Sequence, residues 1–187
     1  KRLLLKDVLV GENYALIISS NAGLWAYNIG DTVKFLSKEP YRMVVTGRTK
    51  HYISAFGEHV IAEEVEDAML RALEKAQLSI REFTVAPMVA QDKGKSFHEW
   101  FVEFENEPGD LGAFAATVDE NLRKKNVYYD DLISGNILQQ LRITSIRKNG
   151  FADYMKSIGK LGGQNKVPRL SNNRAIAEEL KRFTAGR

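Results

Sequence analysis

Short apolar runs punctuated by turn residues fill the first 47 positions of the chain. Tyr14 to Ser19 predicts one strand, Asn21-Ala22-Gly23 supplies turn chemistry, and Leu24 to Tyr27 predicts a second strand. Gly30-Asp31 predicts a further tight turn before a strand from Thr32 to Leu36, and Pro40 precedes another from Arg42 to Val45. Such a layer of strands cannot bury both of its faces alone, so it is expected to lie on something larger.

The pattern changes near residue 48. His51 to Ser54 reads as a strand, and Ile61, Val65, Met69 and Leu73 then recur at helical spacing. Glutamates occupy the first turn of that helix, where its dipole favours them. Phe83, Val85 and Met88 predict a strand, Gln91-Asp92-Lys93-Gly94 a turn, and Trp100, Val102 and Phe104 a strand whose intervening Glu99, Glu103 and Glu105 face water. Pro108-Gly109-Asp110 caps a helix carrying Leu111, Phe114, Val118 and Leu122, and a strand follows at Leu141 to Ile146. Phe151, Tyr154, Met155 and Ile158 make one more helical face, Gly159 to Gly163 a loop, and Asn173 opens a terminal helix. The order from residue 50 to 147 is β-α-β-β-α-β, so the expected fold class is α+β with a ferredoxin-like unit and extra helices.

Composition narrows the function. The chain has 187 residues, 44% of them apolar and 27% charged, which is globular rather than disordered. It has no cysteine, which excludes disulfides, thiolate metal sites and cysteine nucleophiles and fits a reducing cytoplasm. No apolar run reaches membrane-spanning length, and the opening Lys1-Arg2-Leu3-Leu4-Leu5-Lys6 lacks a secretory cleavage region, so no membrane partner is expected. Cations thicken toward the end, but no aromatic side chains are interleaved with them, so nucleic acid is not expected either. His51, His59 and His98 have no metal-ligand spacing, no serine–histidine–aspartate set emerges, and Asp130-Asp131 reads as an acidic pair or a cap.

Three polar stretches remain. A carboxylate held at Asp31 can accept hydrogen bonds from both hydroxyls of a ribose, although aspartate also simply favours turns. Gly47-Arg48-Thr49-Lys50 lies at the change of pattern, where a short polar stretch can absorb the rotations of a hinge or serve as an ordinary linker. Arg48 can also approach ribose or phosphate oxygens. Lys166 stands in Gly162-Gly163-Gln164-Asn165-Lys166-Val167-Pro168-Arg169, a setting that suits contact with an α-phosphate gaining charge, or that of a solvated loop lysine. The glycines do not form a phosphate-cradling loop of the Gly-Lys-Ser/Thr kind.

Together these stretches resemble the auxin-responsive acyl-acid amido synthetase family, especially its bacterial relatives, within the adenylate-forming superfamily. The matching segments are Asn21 to Asp31, Gly47 to Glu66, Asn126 to Leu132 and Gly159 to Arg169. The resemblance implies that residues 1–47 end a large amino-terminal adenylating domain and that 48–187 form a mobile carboxy-terminal lid. It implies a ligase that uses ATP and Mg2+, the metal held mainly by the preceding part, to convert a small carboxylic acid into an acyl-AMP. An amine then takes the acyl group and AMP leaves; a thiol acceptor and a non-catalytic binding module are the alternatives. Lys166 matches the catalytic lysine, Asp31, Arg48 and Tyr27 the nucleotide-binding positions, and Arg48, Thr49 and Lys50 the hinge. Gly57, Glu58, Gln164, Asn165 and Arg169 are the candidate lid contacts. The chain, which starts without methionine and lacks the phosphate loop, is expected to be the inactive back end of a longer protein.

Overall fold

The computed structural model describes residues 2–48, 52–90, 95–162 and 165–186. Three strands, β1 (Asn13–Ile18), β2 (Tyr27–Lys38) and β3 (Tyr41–Arg48), form an antiparallel sheet in that order. In β1 exposed and half-buried residues alternate, and a small core of Val8, Val33 and Phe35 gathers Tyr14 and Leu16 on one face. Leu36, Met43, Val44 and Val45 of this sheet are exposed all the same, and Trp25 before it is 87% exposed.

One prediction fails here. Gly30-Asp31 does not turn the chain between two strands but lies inside the continuous β2. Ala15 faces Thr32 while Ile17 faces Asn28, so Ile29, Gly30 and Asp31 form a bulge. Gly30 sits at φ +86°, a conformation glycine takes without steric cost, and its N–H bonds the Asn28 side chain at 2.9 Å. Glycine next to aspartate signals positive φ in either setting, which is why the two cannot be told apart by composition.

The remainder is the expected α+β arrangement. A short hairpin of β4 (Tyr52–Ile53) and β5 (Val60–Ile61) leads into α1 (Ala62–Ala76), then β6 (Ile80–Met88), β7 (Phe97–Phe104), α2 (Leu111–Lys125), α3 (Val127–Ser134), β8 (Arg142–Ser145), α4 (Gly150–Ser157) and α5 (Ala175–Leu180). β6, β7 and β8 form a sheet in that order, β6 antiparallel and β8 parallel to β7. The strand predicted at 51–54 stays out of this sheet, because β4 folds back on β5 and buries Ile53 and Val60 under α1; His51 lies outside the described residues.

Caps set the helix starts. Asp110 Oδ1 accepts from Ala113 N at 2.9 Å, Asn126 Oδ1 from Tyr129 N at 2.8 Å, and Glu64 Oε2 from Ile61 N at 3.0 Å. Glu64 is pushed up from the ordinary carboxylate value by burial, against the pull of its Asn126 hydrogen bond.

α1 and α2 cover one face of the β6–β7–β8 sheet, around Trp100, Val102, Met69, Val118 and Leu122. α4 and α5 cover the other, around Phe101, Ile146, Phe151 and Leu180. β7 is therefore buried on both sides, and the prediction that Glu99 and Glu103 face water fails. Glu103 accepts from the backbone N–H groups of Asn149 at 2.7 Å and Phe151 at 3.2 Å, capping α4 from below. Glu99 pairs with Arg174 at 2.6 Å and accepts from Thr144 at 2.8 Å. Their alternation reports the pleat, and the helices that cover the second face come from distant sequence.

Candidate functional site

Asp31 and Arg48 are cross-strand partners on β2 and β3, so two of the nucleotide candidates are brought together. Asp31 is half-buried at the end of the glycine bulge, a feature that re-aims side chains. Arg48 is the last residue of β3, and Gly47 beside it opposes Thr32 and approaches Ala62 at the head of α1. Lys34 also reaches α1, pairing with Glu63 at 2.9 Å. The β-layer thus meets the α+β unit where the hinge is predicted; Thr49 and Lys50 lie outside the described residues. Tyr27, half exposed, begins β2 opposite Ile18, four residues from Asp31.

The loop after the hinge is held from inside. Glu58 is fully buried, its Oε2 accepting from Phe56 N at 2.8 Å and its Oε1 lying 2.9 Å from His98 Nε2 on β7. Burial alone pushes this carboxyl up, but the His98 hydrogen bond and the backbone N–H donors outweigh it and hold it below the ordinary value. Among the described residues His98 Nδ1 is buried with no hydrogen-bond partner, and Nε2 is the nitrogen that donates to the carboxylate. Behind it the Tyr129 ring lies 5.1 Å from the His98 ring and its hydroxyl donates to Asp119 at 2.7 Å. Burial first, then Asp119, push Tyr129 well above its ordinary value. Glu58 shapes the loop from within, while Gly57, at φ +94°, lies at its tip. His98, Tyr129 and Asp119 were not legible as a group, since three distant elements supply them.

Lys166 is exposed at the rim of a cleft of about 280 Å³ that Arg81, Glu82, Glu103 and Asn149 also line. Asn165 is exposed beside it and donates to Gly162 O at 3.3 Å, while Val167 turns inward into the second core. Gln164 lies outside the described residues. Arg169 points back onto α1 and β6: its Nε donates to Glu66 of α1 at 3.1 Å, and its Nη1 donates to Phe83 O of β6 at 2.6 Å and to Glu82. Lys166 stands beside Glu82 of β6 and Glu103 of β7 while Asp31 lies on β2, so the two key candidates belong to different sheets. A cavity of about 680 Å³ between α2, α3 and β8 contains none of them. Among the described residues no trio of histidine and carboxylate side chains could hold a metal, and no helix is long and apolar enough to cross a membrane.

These features define a mixed α+β domain preceded by a three-stranded antiparallel layer. The profile of the GH3 family C-terminal domain matches residues 63–175, and that of the GH3 family central domain matches residues 1–48. The chain belongs to the GH3 family. Among solved structures it is similar to GH3.15 acyl acid amido synthetase, with a TM-score of 0.76 and 20% identity over 97% of this chain and 34% of that one. It is similar also to AtGH3.15 acyl acid amido synthetase in complex with 2,4-DB, with a TM-score of 0.72 and 18% identity over 98% of this chain and 35% of that one. At such identities the likeness is one of fold, and the chain spans about a third of those proteins' length. No match emerged among curated protein sequences.

Proposed function

We propose that this chain is the lid-bearing part of an adenylate-forming ligase that joins a carboxylic acid to an amine. An oxygen of the acid attacks the α-phosphorus of ATP, the bond to the β-phosphate breaks, and pyrophosphate leaves. The amine nitrogen then attacks the acyl carbon of the acyl-AMP, AMP departs with the bridging oxygen, and the nitrogen loses a proton. A thiol acceptor would follow the same steps to a thioester. The observation that carries the reading is the pairing of Asp31 with Arg48 across β2 and β3, at the join of two GH3 regions.

In this reading residues 1–47 belong with the adenylating body and residues 48–187 form the lid, which turns about Arg48 to Lys50. Asp31 accepts hydrogen bonds from the ribose, equally in ground and transition states, with Arg48 and Tyr27 beside it. Lys166 meets the charge that develops on the α-phosphate, so it favours the transition state. Gly57 and Asn165 line the closing surface. Magnesium, when bound, offsets charge on the phosphates; no ligand for it is assigned on this chain. The lack of cysteine supports a cytoplasmic setting. The test is acid-dependent exchange of pyrophosphate into ATP by the whole ligase. Lys166→Ala is expected to slow it by about 10²–10³, the effect of losing one preorganised charge-stabilising donor. Exchange at the unmutated rate removes Lys166 from the chemistry.

A further inference from the structure

The segment that follows Lys166 is tied to β6 along its whole length. Thr84 Oγ1 donates to Pro168 O at 2.6 Å, Val85 N to Arg169 O at 3.0 Å, and Ser171 N to Val85 O at 3.0 Å. Ser54 N, in the loop after the hinge, donates to Asn172 Oδ1 at 2.9 Å. Side chains add a second set of ties at one residue. The Arg169 guanidinium reaches Glu66 on α1 and both Glu82 and Phe83 O on β6, and its carbon lies 4.1 Å from the centroid of the Phe83 ring. A planar fork with five donors can meet three acceptors in different directions while stacking on a ring; a lysine ammonium cannot.

These contacts leave Arg169 turned toward the protein, three residues from Lys166, with the inward Val167 and the rigid Pro168 between them. We infer that Arg169 is a positioning residue: it pins the root of the Lys166 segment to α1 and β6, so that the lysine arrives at the α-phosphate in one geometry when the lid closes. The inference rests on the adenylating role given above to Lys166, and it assigns Arg169 an inward task in place of contact with the nucleotide.

The experiment is a double-mutant cycle in the whole ligase, with Lys166→Ala, Arg169→Gln and the two combined. Arg169→Gln is expected to slow acid-dependent exchange by about 10²-fold, as an ångström-scale misplacement of a catalytic group does. KM for ATP should stay within about twofold and acyl transfer from preformed acyl-AMP should be unchanged, because neither uses Lys166 in this account. The combined variant should be no slower than Lys166→Ala alone. Arg169→Lys keeps the charge and the stem and is expected to show the same loss, which covers the case in which the glutamine variant folds poorly. Amide exchange at Ser171 should quicken in both. A full rate in Arg169→Gln or Arg169→Lys, or a combined loss equal to the product of the single losses, overturns the inference alone. A full rate in Lys166→Ala overturns the inference together with the reading beneath it.

Discussion

Replacing His98 by phenylalanine tests how the loop after the hinge is held. Phenylalanine keeps a ring against Tyr129 and Phe56, whose centroids lie 5.1 and 6.4 Å from that of His98, but removes the donor to Glu58. The carboxylate then keeps only its backbone N–H donors, Phe56 N among them. Stranding one member of a buried pair costs about 3–5 kcal/mol. Protonation caps that cost. From the ordinary value of 4.5 to pH 7, forcing the carboxyl neutral costs at most about 3.4 kcal/mol, at 1.36 kcal/mol per pH unit. The expected loss at pH 7 is therefore about 3 kcal/mol, narrowing by about 2.7 kcal/mol between pH 7 and pH 5.

The sign follows from the direction of each shift. In the native protein the Glu58 carboxyl is lowered, so its stabilisation is present above 4.5 and fades as pH falls through the folded value. In His98→Phe burial raises it, so stability is greatest in acid and falls as pH rises. Urea unfolding followed by the fluorescence of buried Trp100 and by circular dichroism, at an unchanged slope, gives both numbers. Combining Glu58→Gln with His98→Phe should recover part of the loss, because the stranded charge is gone. A deficit below about 1 kcal/mol, or one equal at pH 5 and pH 7, would refute the pairing as described.

Tyr129→Phe is expected to cost about 1–3 kcal/mol at neutral pH, because Asp119 keeps only the Leu141 N–H. Native Tyr129 titrates well above 10, so the unfolded chain ionises first and stability falls as pH rises past 10; thermal melts of the variant should lose that part of the slope. Gly150→Ala would drive a Cβ into Ile146 and against Phe183, with an expected loss of about 1–3 kcal/mol in urea midpoint and no change in the helical signal of α1 or α2. Asp31→Ala in the whole ligase should raise KM for ATP about tenfold or more with kcat within about twofold, the mark of binding lost equally in ground and transition states. A fall in kcat with KM unmoved would assign Asp31 to the chemical step instead.

The helices and the β6–β7–β8 sheet were legible because their periods of 3.6 and 2 reflect one local packing face. What escaped depends on distant partners. The glutamates of β7 alternate as a solvent face does, yet α4 and α5, which come some fifty or more residues later, supply the N–H groups and the Arg174 that bury them. Gly30-Asp31 announced positive φ but could not say whether β1 continued opposite it. At the site, Lys166, Asp31 and Arg48 stood out through their neighbours in sequence. The His98–Glu58 pair did not, since its members lie 40 residues apart and each alone reads as surface. Arg169 read as a candidate lid contact, and only the fold turns it toward Glu66 and Glu82.

The account stands or falls on where the carboxylate of Asp31 goes in the complete protein. A crystal structure of the whole ligase with AMP should place it within hydrogen-bond reach of both ribose hydroxyls, with Arg48 alongside across the two strands. The same carboxylate turned away from the sugar would end the assignment of this chain to an adenylating enzyme.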